Sequence, residues 1–153
     1  MYKERQGFHK AWFLILTLIL LAVSIFFNSL NGGGKIDFLP LIFKNAFSIV
    51  LLYLVFVNAK LYTEIDHKNI EVRWVILKYV VSKRTFSWDE VEKSSIVKYS
   101  FIGYGYRLTF KYGKVFNARG NKGLLLNLAG GKKFLIGTNN ELELRKYIKN
   151  LNI

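Results

Sequence analysis

The chain has 153 residues and a net charge of +13, from 23 Lys and Arg against 10 Asp and Glu, and it contains no cysteine. Disulfides and thiolate metal sites are therefore excluded, and a strongly basic balance favours anionic partners. Hydrophobic residues make up 52% of the chain and crowd into its first sixty positions, so the two parts of the sequence are written for two different solvents.

Residues 1–10, MYKERQGFHK, read as a basic N-terminal tail. The next twenty, AWFLILTLILLAVSIFFNSL, carry no charge. About 20 apolar residues at 1.5 Å rise match the hydrocarbon core of a bilayer. Trp12 near one end and Phe26–Phe27 near the other suit the aromatic preference for interfaces. A basic N-terminus before an apolar stretch also describes a secretory signal, but no small-x-small cleavage pattern follows and a second apolar run comes at once. That run, about 38–58, contains Pro40 in its first turn and Lys44-Asn45 about one and a half turns in. A lysine so near the end has the reach to snorkel, although an intramembrane charge is also a candidate functional contact. Lys44 and Asn45 are accordingly the residues through which a partner helix would be met. The connecting NGGGKID, 31–37, is a short, glycine-rich loop. The expected organisation is a transmembrane hairpin over 11–59 followed by a domain over 60–153. Cations flank both outer ends, which predicts a multi-pass protein with both termini cytoplasmic.

Beyond residue 60 the period falls to two, as in half-buried strands. Strands are predicted at 61–66, 70–76, 80–86, 94–101, 106–111, 114–118, 124–128 and 134–136. A turn at His67-Lys68-Asn69 separates the first two, and Gly130-Gly131 forms a hairpin between the last two. Thr138-Asn139-Asn140-Glu141 resembles a capping box, and Leu144, Tyr147, Ile148 and Leu151 follow at helical spacing. About seven antiparallel strands closed by one helix, without βα alternation, exclude a doubly wound α/β sheet.

The stretches LYTEIDHKNIEVRW, TFSWDEV and above all GGKKFLIGTNNELELRKYI resemble the pleckstrin-homology-like (PH-like) domains of bacterial membrane proteins over 61–152. The resemblance implies a mainly-β (α+β) sandwich or partly open barrel with its C-terminal helix plugging one end. It also implies a bacterial inner (plasma) membrane setting and a binding or scaffolding module.

From Lys60 onward there are 18 basic and 8 acidic residues, and no acid at all between Glu92 and Glu141. Within that stretch Arg107, Lys111, Lys114, Arg119 and Lys122 are the candidate contacts for an anionic surface, either lipid headgroups or an acidic membrane partner. Near an anionic leaflet each such cation gains about 1 kcal/mol. The alternative is an accessory subunit of a transport or envelope-enzyme complex. Gly103-Tyr104-Gly105 lacks the spacing of a phosphate loop and reads as a strand turn. Tyr99, Phe101, Tyr104, Tyr106, Phe110 and Tyr112, interleaved with cations, could imitate a nucleic-acid stacking platform. Behind two apolar spans they read instead as core and interface packing, which argues against nucleic acid. Trp88 reads as a core anchor. Two histidines, His9 and His67, far apart in the chain, and the lone acidic group Asp89, Glu90 and Glu92 form no catalytic or metal constellation. No enzyme, cofactor or metal is expected.

Overall fold

A computed structural model describes residues 1–8, 10–31, 38–100 and 103–151. The chain divides into two compact units, one of residues 9–57 and one of 1–8 with 58–153.

The first unit is a pair of helices, α1 (Lys10–Asn31) and α2 (Phe38–Asn58), both long and apolar enough to cross a membrane. Only 0% of the first apolar window and 11% of the second is buried, so neither is the core helix of a globular domain. Several of their polar side chains bond within the helical pair, as suits an apolar surrounding. Thr17 Oγ1 donates to the carbonyl of Phe13 at 2.9 Å and Ser29 Oγ to that of Phe26 at 2.7 Å. Buried Asn45 faces α1 and donates to Ser24 Oγ at 2.8 Å and to the Leu41 carbonyl at 2.7 Å, while Lys44, one step around the helix, is exposed. Phe13 and Tyr53 meet edge-on at 5.3 Å. The predicted 31–37 loop (beyond Asn31) and His9 lie outside the described residues.

The second unit begins before the helices. Residues expected as a tail form strand β1 (Tyr2–Gly7), paired antiparallel with β2 (Lys60–Ile65) from Tyr2↔Ile65 to Gly7↔Lys60. Alternation could not reveal it, because its inward positions are Tyr2, Glu4 and Gln6 rather than a run of apolar residues. Each finds a partner on the far sheet. Gln6 Nε2 donates to the Gly137 carbonyl at 2.6 Å, and the Glu4 carboxylate accepts from Thr138 Oγ1 and the Asn139 N–H, both at 2.7 Å. Burial and the Glu4 carboxylate push the Tyr2 hydroxyl well above its ordinary titration range.

The sheet continues with β3 (Asn69–Ile76) and β4 (Tyr79–Ser87), in the order β1-β2-β3-β4. Leu61, Thr63 and Ile65 on β2 and Ile70, Val72 and Trp74 on β3 turn inward. A 3-10 turn, Trp88–Glu90, leads to β5 (Val91–Lys98). Trp88 is buried there, its indole N–H on the Asp66 carbonyl at 2.9 Å, as a core anchor should be.

The second sheet contains β5, β6 (Gly105–Thr109), β7 (Gly113–Asn117), β8 (Lys122–Leu128) and β9 (Lys133–Thr138), in the order β5-β8-β9-β7-β6. It departs from the expected antiparallel arrangement, because β7 and β9 pair parallel, Lys114 opposite Phe134. After the Gly130-Gly131 hairpin, both residues at left-handed φ (78° and 75°), β9 runs antiparallel to β8 and lies between it and β7. Among the described residues nine strands form, not about seven, and the two sheets do not close into a barrel. Phe134 at the start of β9 packs on Phe86 of β4 at 4.7 Å, whereas Gly137 and Asn139 at its end reach β1. The strand thus crosses the whole four-stranded sheet, the signature of steeply crossed sheets.

Helix α3 (Glu141–Asn150) packs against this core. Leu144 is buried and Tyr147, Ile148 and Leu151 lie on the core, as their spacing predicted. Its cap is Asn140, accepting from the Glu143 N–H, two residues beyond the predicted Thr138, whose hydroxyl is used by Glu4 and the Asn140 N–H.

Candidate functional site

Where β4 faces the β6–β7 and β8–β9 hairpins, the sandwich is open to a cleft of about 680 Å³. Phe86, Leu108, Phe110, Leu128 and Phe134 supply its apolar lining, and Arg84, Lys114, Lys132 and Lys133 are its basic residues, with Lys133 at the rim because it alternates with inward Phe134. No acid lines it. Arg84 is there because β4 is an edge strand: it pairs with Val72 on the inward face, but no strand covers it. Charges turned inward at an edge also discourage pairing with another chain, which is the purely structural role for such a residue. Lys114 alternates with Val115, so it shares the inward face of β7 with Phe116. Gly113 permits this approach, since at φ +65° a Cβ would stand 2.1 Å from the Lys133 carbonyl oxygen. Among the described residues, none of the four cations forms an ion pair. The volume suits a small ligand, and the lining suits an anion with an apolar body.

The structure distributes the five predicted contacts over several places. Lys114 enters the cleft. Lys111 lies in the β6–β7 turn with its ammonium 5.3 Å from the centre of the Tyr112 ring. Arg107 points to the opposite face of its sheet, beside Tyr99 and Gly103, and burial lowers the pKa of its guanidinium. Burial pushes the Tyr99 hydroxyl upward. Arg119 and Lys122 fall at the other end of the sheet, where Lys122 lies opposite Thr138. There Lys122 holds Glu141, which Arg145 also reaches at 2.9 Å, and the two cations keep that carboxyl below its usual range.

No family model, curated protein or solved structure matches this chain.

Arg84 is not singled out by the sequence because it stands outside the acid-free stretch, in the polar middle, Ser82–Thr85, of its strand. Its signal is its phase: it sits two residues before buried Phe86, on the face that should be apolar. Lys132 and Lys133 belong to the acid-free stretch, but only the hairpin and the β7–β9 pairing bring them beside Lys114. The alternative chemistries gather nothing around them. His67 is exposed in the β2–β3 turn, where the Asp66 carboxylate accepts the Lys68 and Asn69 N–H groups at 2.7 Å each and is kept below the usual carboxylate range. Asp89 closes a local turn with Ser87. No group of three metal-binding side chains occurs among the described residues. Of the aromatic run, Tyr99 and Tyr112 pack against Val115 and Leu135 on the sheet's outer side, and Tyr106 meets Phe116 edge-on at 5.2 Å; Phe101 lies outside the described residues.

Proposed function

We propose that this chain is an integral membrane protein whose PH-like domain, at the cytoplasmic face of a bacterial inner membrane, binds anionic lipid. The observation that carries the reading is the acid-free cleft with four cations on an apolar floor, in a chain with two helices of membrane-spanning length. An acyl-bearing phosphate matches both halves of that lining. The domain order supports the PH-like assignment: a four-stranded sheet, a second sheet, then a C-terminal helix against the core. The pairing of β1 with β2 supports a retained hairpin, because cleavage behind α1 would remove a strand from the sheet. The same pairing supports a topology in which residues before and after the hairpin lie on one side of the bilayer. The domain's excess of cations favours the cytoplasmic side.

The test uses the full chain in nanodiscs of phosphatidylcholine with and without phosphatidylglycerol, read by hydrogen exchange over 84–86 and 128–134. Anionic lipid should slow exchange in both segments, and salt should reverse the effect. Converting Lys132 and Lys133 to Gln should weaken the lipid response by roughly 30-fold, at about 1 kcal/mol per cation. Exchange indifferent to phosphatidylglycerol at low salt would sink the reading.

The accessory-subunit reading has one observation of its own: Lys44 is exposed on an apolar helix, beside exposed Phe43 and Phe47. It expects a membrane protein that co-purifies with the chain and is lost on Lys44→Leu. Purification of the wild-type chain alone from its native membrane would count against it.

A further inference from the structure

The turn between β3 and β4 carries apolar side chains that the core does not use. Leu77 is 47% exposed, Tyr79 77%, Val80 55% and Val81 58%. Leu77 and Lys78 adopt left-handed φ values of 50° and 74°, which makes the turn a tight two-residue reversal. Val81 is the extra residue of a bulge, since Ser82 lies opposite Trp74 and Val80 opposite Val75. A projecting apolar hairpin in water is an aggregation liability unless something covers it.

Strand register indicates what does. Gly7 lies opposite Lys60, Lys60 opposite Val75, and Val75 opposite Val80, so these four form one row across the sheet. Gly7 is three residues before Lys10, where α1 begins, and Lys60 is two residues after Asn58, where α2 ends. At no more than about 3.6 Å per residue, Gly7 and Lys60, the first two residues of the row, are tied within roughly 11 Å of chain to the ends of the two helices. The turn lies one step beyond that row, at Ile76↔Tyr79. The short connections to both helices therefore leave from the end of the strands that carries the turn.

We propose that residues 77–81 are an interfacial anchor. Leu77, Tyr79, Val80 and Val81 enter the boundary between headgroups and acyl chains of the leaflet from which the helices emerge, and Lys78 reaches the phosphates. This rests on the membrane reading above. The composition suits that boundary: a tyrosine with one wet end, aliphatic neighbours, and a lysine whose stem lies along apolar surface while its charge stays in water.

The absence of native cysteine makes the test direct, because a single introduced thiol is the only one labelled. The full chain is prepared in phosphatidylcholine–phosphatidylglycerol nanodiscs as three variants, Tyr79→Cys, His67→Cys and Leu18→Cys. Each carries a nitroxide, and collisions with oxygen and with a water-soluble nickel chelate are compared. His67 occupies the opposite end of the same strands, roughly 20 Å away at about 3.4 Å per residue. Oxygen should dominate at 79 and 18, and the chelate at 67. Tyr79 is exposed, so its replacement spares the core, and Val81→Cys should repeat its result. Chelate dominance at 79 with oxygen dominance at 18 overturns the anchor and leaves the membrane reading standing. Chelate dominance at 18 overturns both. Shielding from both reagents at 79 means a protein contact and also overturns the anchor.

Discussion

Deleting residues 2–7 is expected to abolish cooperative folding of the β-domain while leaving the two apolar helices intact. The deletion removes an edge strand with six registered pairs and every bridge that β1 makes to the second sheet. Each backbone hydrogen bond contributes about 1 kcal/mol net. Loss of Tyr2, 2% exposed and packed toward Tyr147 with ring centres 6.1 Å apart, costs about 3–5 kcal/mol by analogy with other large aromatic truncations. The Gly137 carbonyl, Thr138 hydroxyl and Asn139 N–H lose their β1 partners as well. Together these losses approach the whole stability of a small domain, about 5–15 kcal/mol. Limited proteolysis and thermal unfolding of the full chain in detergent provide the check. A domain that still resists protease and melts within a few degrees of wild type would show that β1 is dispensable. Such a result would restore the reading of these residues as a tail.

Phe134→Ala should destabilise the domain by about 3–5 kcal/mol. Phe134 is 2% exposed and stands between the sheets, 4.7 Å from Phe86 of the first and 5.2 Å from Phe116 of the second. Its removal leaves a void that the rigid strands on either side cannot close, and it opens the floor of the cationic cleft. For a domain of this size the melting temperature should fall by more than about 10 °C. Phe134→Leu keeps most of the volume and should cost far less, about 1–1.5 kcal/mol. Denaturant titration of both variants distinguishes packing from mere hydrophobicity. A loss below about 1 kcal/mol for the alanine variant would mean that the two sheets do not share a packed core at this point.

What was legible in the chain follows from how local each signal is. The helices show because twenty apolar residues in succession need no partner to declare their solvent. Most strands of the domain show because Ile70, Val72 and Trp74, or Leu124 and Leu126, repeat at the period of the pleat. The Gly130-Gly131 turn and the amphipathic face of α3 are equally local. β1 was illegible for the converse reason: its inward residues, Glu4 and Gln6, are polar, and the bonds that hold them to the second sheet run to groups more than a hundred residues away. The basic residues were legible as charge and not as a place, because the side on which a cation emerges depends on strand phase and on which strands are neighbours.

Composition and periodicity alone determine that this chain has two apolar helices, a basic β-rich domain and a closing amphipathic helix, since each is a property of consecutive residues. Tertiary structure decides that the chain's first strand belongs to that domain, which makes the helical pair an insertion between two paired strands. It also decides that β9 lies between β8 and β7, which places Lys114 beside Lys132 and Lys133 and opposite Arg84. Both decisions are long-range pairings, and a pairing is recorded in neither partner's own sequence.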